Sequence, residues 1–125
     1  MIIHQQSMQI IATAFGNGSM HDFGLFKASK TGMASQVLCL ADAGYQGLAD
    51  LHTNSRTPKK KSKHHPLTIK QKAANRELAR QRIYVEHVIG KVKVFRILSE
   101  RYRNRRKRFG LRFNLIASLY NLELN

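Results

Sequence analysis

The sequence predicts a layered α/β or α+β fold, and two observations carry that expectation. Two short apolar runs stand near the start of the chain, and two long stretches with helical periodicity stand near its end. At 125 residues the chain has the size of one domain, so one compact unit is expected rather than two. Hydrophobic residues make up 42%, enough for a globular core and too many for a disordered chain. At this length the core must be thin.

The elements follow in order. Met8 to Phe15 is apolar and rich in strand formers, and Gly16-Asn17-Gly18-Ser19 supplies a turn after it. His21 to Lys27 reads as a short helix, with Ser19 or Asp22 as its cap. Val37 to Ala41 is a short continuous apolar run, as a strand buried on both faces would be, and it ends at Asp42-Ala43-Gly44-Tyr45. Thr53 to Pro66 holds both prolines and the run Lys59-Lys60-Lys61-Ser62-Lys63, and reads as an exposed basic loop. A long helix is expected over 68–98, with Thr68 as its cap. Leu78, Val85, Val88, Ile89 and Val92 recur at helical steps and share one stripe; Glu86 is expected beside that stripe and not on the outer face. A nearly all-basic segment, Arg101 to Arg108, precedes a last amphipathic helix over 109–124, with Leu111, Leu115, Ile116, Leu119 and Leu122 as its apolar residues.

Charge narrows the function. Lys and Arg number 22 against seven acids, for a formal charge of +15 and a pI near 10.7. Such a field attracts polyanions, of which nucleic acid is the commonest in a cell. Cys39 is the single cysteine, which excludes an intrachain disulfide and a thiolate zinc site; within Val37-Leu38-Cys39-Leu40 it reads as a buried, inert thiol. His64 and His65 are loop neighbours, and no pair of histidines has zinc-ligand spacing. Glycine-rich phosphate loops and serine or cysteine nucleophile motifs are absent. The first residues lack the pattern of a signal peptide, no run has the length of a membrane span, and the cytoplasm is the expected compartment.

With seven acids, each can be weighed. Asp42 stands at the end of an expected buried strand, where sites assemble in open α/β sheets, although an aspartate before glycine also caps turns. Glu86 lies in Arg82-Ile83-Tyr84-Val85-Glu86-His87-Val88-Ile89-Gly90; an exposed ion pair with Arg82 is its plainer role, worth about 0.3–0.5 kcal/mol. A strand-end carboxylate facing a helix carboxylate amid basic surfaces suits a hard divalent cation and phosphate. Two bridged metals activate a water or hydroxyl for in-line attack at phosphorus. A third acid is needed, with Asp22 and Asp50 as candidates by composition alone.

At this point a family resemblance emerges. Ala41-Asp42-Ala43-Gly44-Tyr45-Gln46-Gly47 resembles the "aspartate, any residue, glycine, tyrosine, glutamine, glycine" signature of the DDE-type insertion-sequence transposases. Arg82 through Glu86-His87 to Lys91-Val92-Lys93 looks like their glutamate helix, and Gly18-Ser19-Met20-His21-Asp22 like a third segment in the right order. The resemblance implies an α/β, ribonuclease H-like mixed sheet flanked by helices. Asp42 would be the second metal-binding acid and Glu86 the third, with Mg2+ or Mn2+ as cofactor. The family's first aspartate sits on a strand upstream of this segment, and no acid precedes Asp22. The fold is therefore expected to be incomplete at its N-terminus, inactive alone, and poorly stable unless a second chain supplies the strand. DNA, as transposon ends and target, is the partner implied. Its phosphates would meet Lys59, Lys60, Lys61, Lys63, Arg82, Lys91, Lys93, Arg101, Arg103, Arg105, Arg106, Lys107 and Arg108. A homo-oligomer, or the upstream half of a split transposase, is the expected protein partner. The competing readings are a non-catalytic nucleic-acid binder and a pseudogene remnant.

Overall fold

A computed structural model describes residues 1–16, 18–95 and 108–124. It is a mixed α/β structure with helices and two small sheets. The chain divides into two compact units rather than the one its length suggested: Gly16–Arg82, and the combination of Met1–Phe15 with Ile83–Asn125. The reason lies in the strands. Among the described residues each sheet has two strands only, and each sheet lies within a single unit.

In the unit formed by the chain's two ends, β1 (Ile2–Ile3) pairs antiparallel with β2 (Ile10–Ala12), with a register irregularity between Ile2 and Ile3. The strand expected over Met8–Phe15 is thus shorter. Its partner went unseen in the sequence because two isoleucines are too few to display alternation. The last helix of the described residues, which we call α4 (Phe109–Glu123), packs on β2. Ile10, Val88, Val92, Ile116, Ala117 and Tyr120 form the core, with Ile3, Met8 and Phe113 against it. Phe15 meets Phe109 and Phe113 edge to face at 5.8 and 5.2 Å. Gly110 makes room there, since a Cβ would stand 3.2 Å from the Phe15 ring.

The buried face of α4 differs from the expected one. Ile116 is buried as anticipated, but Leu111, Leu115, Leu119 and Leu122 are exposed, Leu111 by 72%. Hydrogen bonding selects the face. Ile10 N–H donates to Asn121 Oδ1 at 2.8 Å, and Asn121 Nδ2 donates to the Ile10 carbonyl at 2.8 Å. The Tyr120 hydroxyl donates to the Met8 carbonyl at 3.1 Å, and Thr13 Oγ1 donates to Asn114 Oδ1. An unmet buried backbone group costs about 1–3 kcal/mol, comparable with the burial of a leucine. The helix therefore turns its amides, not its leucines, toward the strand edge.

In the unit Gly16–Arg82, α1 (Asp22–Ser29) begins after His21, with no side-chain cap from Ser19 or Asp22. Asp22 instead occupies the first turn, where its charge favours the helix dipole. β3 (Cys39–Leu40) pairs parallel with β4 (Ser55–Arg56), and Ala41 N–H continues the ladder to the Arg56 carbonyl at 3.0 Å. β4 lies inside the segment expected to be wholly loop; a two-residue strand leaves no sequence pattern, and its place is set by pairing with β3. Between them come a single 3-10 turn (Ala43–Tyr45) and the short helix α2 (Leu48–Leu51). Leu48 is 1% exposed, and His52, also buried, makes a 2.6 Å hydrogen bond from its Nε2 to the Val37 carbonyl. Cys39 is half-buried, and burial pushes its thiol above the ordinary value, which disfavours the reactive thiolate.

The long helix, α3 (Ile69–Val92), starts as expected at Thr68. Gln71 N–H donates to Thr68 Oγ1 at 3.2 Å and Thr68 N–H donates to Gln71 Oε1 at 3.1 Å, a reciprocal capping box. The helix ends at Val92, short of the expected residue 98. Val94 N–H reaches back to Lys91 and Phe95 N–H to Val92, the three-residue spacing that tightens and closes a last turn. Residues 96–98 lie outside the described residues. The stripe holds: Leu78, Val88 and Val92 are buried, Val88 completely.

Candidate functional site

The motif around Asp42 is explained residue by residue. β3 delivers Asp42 in extended backbone (φ −82°, ψ 179°), and its Oδ1 accepts from Gly44 N–H at 2.7 Å. Gly44 has to be small, since a Cβ would lie 2.9 Å from that same oxygen. Tyr45 N–H closes the turn on the Asp42 carbonyl at 3.1 Å, and its ring packs against Phe23 and Phe26 at 5.7 and 6.2 Å. The Gln46 side-chain amide donates to the carbonyls of Ala43 (3.3 Å) and Pro58 (2.9 Å). Gly47 takes φ +89°, the left-handed region where side chains are strained, and opens α2.

The second Asp42 oxygen, Oδ2, lies 3.7 Å from Arg82 Nη2 on α3. Asp42 is 45% exposed and Arg82 23%, so this pair is a surface interaction of modest strength. Sequence reasoning offered Arg82 to Glu86 as a helical neighbour and to DNA as a free cation; the fold gives it to Asp42. Burial pushes the Tyr45 phenol above its ordinary value, the Asp22 and Asp42 carboxylates and Cys39 push the same way, and Arg82 opposes them. A phenol raised in the folded state leaves stability intact below the unfolded value of about 10. That stability is lost as pH rises through the raised folded value. Asp42→Asn is expected to bring the Tyr45 titration back down, followed by ring NMR. An unmoved titration would mean the carboxylate does not act on the ring.

Glu86 falls in the other unit. It belongs to the unit Met1–Phe15 plus Ile83–Asn125, whereas Asp42 belongs to Gly16–Arg82. It is exposed on α3, not sheltered beside the apolar stripe as expected. The cause is helical phase: Val88 takes the fully buried position, and a residue two places earlier is about 200° around the helix. His87 is also exposed, its ring edge-on to Tyr84 at 6.4 Å. Asp22 and Asp50 are exposed in the first turns of their helices.

Lys59, Lys60, Lys61 and Lys63 are exposed, as are Lys91, Lys93 and Arg108. Arg101, Arg103, Arg105, Arg106 and Lys107 lie outside the described residues. Among the described residues, no three of His, Cys, Asp and Glu gather where a metal ion could be held. Carboxylate oxygens are the right donors for a hard cation, but those of Asp42 are directed to Gly44 and Arg82. The described residues therefore do not fit a complete divalent-metal site. No described helix is long and apolar enough to cross a membrane.

Two residues of this region escaped sequence reasoning. Gln46 was visible within its motif but without a role. Asn75 gave no signal at all, and it holds the start of the lysine segment on α3.

These features coincide with one family. The chain belongs to the DDE superfamily endonucleases, whose family model matches residues 1–121. It is 52% identical over 124 residues to a Microchaete diplosiphon protein described as "Probable transposase for insertion sequence element IS702". The match takes in 99% of this chain and 45% of that relative, so the chain spans a little under half the relative's length. No solved structure matches it.

Proposed function

We propose that this chain works in DNA transposition, as part of a catalytic domain that cleaves and joins phosphodiesters. In this reading Asp42 and Glu86 are two of its acids, and Mg2+ or Mn2+ is its cofactor. The fold is read as a ribonuclease H-like mixed sheet flanked by helices, completed by a strand bearing a further acid from an upstream half of a split transposase. The exposed cations hold DNA, both the transposon ends and the target. The observation that carries the proposal is the Asp42 turn: an aspartate at a strand end, fixed by its own glycine, in the family's motif order.

The test separates binding from chemistry. A fluorescein-labelled duplex titrated with the chain is expected to bind with an affinity that falls steeply between 50 and 200 mM NaCl (conditions of the test). The chain alone is expected not to nick supercoiled plasmid with magnesium or manganese. Mixed with a polypeptide covering the upstream half of the related transposase, it is expected to nick. Asp42→Asn and Glu86→Gln should each abolish nicking and leave binding in place. Nicking that survives both substitutions would sink the catalytic assignment.

One observation favours a second reading, a nucleic-acid binder without chemistry: among the described residues no three acidic or other ligating side chains converge. Under that reading the mixed sample binds DNA and never nicks it.

A further inference from the structure

The lysine run was read from sequence as an exposed loop, yet its backbone is gripped at its first residue. Lys59 N–H donates to Asn75 Oδ1 at 2.9 Å, and Asn75 Nδ2 donates to the Lys59 carbonyl at 2.9 Å. This two-way contact copies the way a neighbouring β-strand would hold the same residue. One residue earlier, the Pro58 carbonyl accepts from Gln46 Nε2 at 2.9 Å, and the same amide nitrogen donates to Ala43 inside the Asp42 turn. At the far end the run closes in a turn, with His65 N–H donating to Ser62 Oγ at 3.0 Å and Ser62 N–H to the His65 carbonyl at 3.3 Å. Lys59, Lys60, Lys61 and Lys63 therefore project from a segment held to the fold at Pro58 and Lys59 and closed on itself by the Ser62–His65 turn, with their side chains exposed.

The holding helix is shared with the acid. Asn75 and Arg82 lie seven residues apart on α3, on one face and about 10 Å apart along the axis. Asn75 holds Lys59, and Arg82 reaches Asp42. Buried Leu78 lies between them along the same helix. Gln46 makes the second tie, directly from the Asp42 turn to the segment. The lysines and the carboxylate are thus set in register by two independent links.

We propose that Asn75 and Gln46 are positioning residues that make Lys59–Lys63 a pre-set ribbon for DNA phosphates, registered to Asp42. Resting on the DNA-binding reading above, the proposal makes side chains outside the charged run control its affinity. A free lysine loop has to be ordered as it binds, and each ordered residue opposes association; a ribbon already held avoids that cost. The register offset of about 10 Å equals the axial length of roughly three nucleotides of one strand.

The experiment uses the full chain and a mixed-sequence, fluorescein-labelled duplex, with affinity measured across a NaCl series. The variants are Asn75→Ala, Gln46→Ala, the quadruple change of Lys59, Lys60, Lys61 and Lys63 to alanine, and that quadruple combined with Asn75→Ala. Each phosphate contact contributes about 0.9 to the slope of log affinity against log salt. Asn75→Ala is expected to lower that slope by about 1–2 while the far-ultraviolet circular dichroism stays that of the wild type. In the quadruple background the same substitution is expected to change nothing, because it acts through the lysines. A slope unchanged in both Asn75→Ala and Gln46→Ala, alongside a reduced slope in the quadruple variant, overturns the positioning role and leaves DNA binding standing. If the quadruple variant keeps the wild-type slope, or the wild-type chain does not bind, the DNA reading falls and the ribbon with it. Should Asn75→Ala fail to fold, Gln46→Ala decides the matter, since Gln46 is exposed.

Discussion

Leu48→Ala is expected to destabilise the unit Gly16–Arg82 by about 2–5 kcal/mol. Leu48 is 1% exposed and is one of three fully buried large side chains among the described residues, with Val88 and Val92. The other buried residues described in its own unit are few, Ala41, His52 and Leu78. The cost combines lost burial with the void left behind, and natural domains hold only about 5–15 kcal/mol in all. Leu48 opens α2, which packs on β4, and it follows directly on the Asp42-to-Gly47 turn. Loosening it should raise hydrogen exchange at Gly44 and Tyr45, whose amides close that turn. Urea unfolding followed by amide NMR reads both effects. A loss below about 1 kcal/mol, in the range of a surface change, would mean that Leu48 is not the anchor.

A loss of about 2–4 kcal/mol is expected for Asn121→Leu, although leucine matches asparagine closely in size. The substitution removes both hydrogen bonds to Ile10, whose side chain and backbone lie in the core of the terminal unit. It strands an N–H and a carbonyl on the strand edge, where leucine offers neither donor nor acceptor. The gain from an added apolar side chain does not offset two unmet backbone groups. Asn114→Ala is the control. Asn114 is exposed and its side chain accepts from the Thr13 hydroxyl, while its carbonyl, which accepts from Ser118 Oγ, stays in the alanine variant, so less than about 1 kcal/mol should be lost. Equal losses for the two variants would contradict the claim that the Asn121 hydrogen bonds to Ile10 select the buried face of α4.

Part of this protein was legible in its sequence. The cap at Thr68 was readable because a cap and its contact lie within one helical turn; the structure adds Gln71, three residues on, as its reciprocal partner. The buried stripe of Leu78, Val88 and Val92 was readable because helical periodicity records which side faces inward. The Asp42 turn was readable as both turn and motif, since its hydrogen bond spans two residues. The family itself was legible in three short motifs, and the match over residues 1–121 bears that out.

The rest depended on partners far along the chain. The choice of face on α4 was decided by Ile10, 111 residues from Asn121. The partner of Arg82 was decided by where β3 delivers Asp42, and the exposure of Glu86 by which valine takes the centre of the core. Asn75 acquired its role only when Lys59 was laid beside it across 16 residues. Sequence alone determined the local geometry of each motif and the family it belongs to, because those interactions are confined to neighbours whose identities are read together. Tertiary structure decided which polar groups meet. That choice is made by competition among many distant donors and acceptors for a few unmet backbone groups, and the cost of leaving one unmet is comparable with that of leaving a leucine in water.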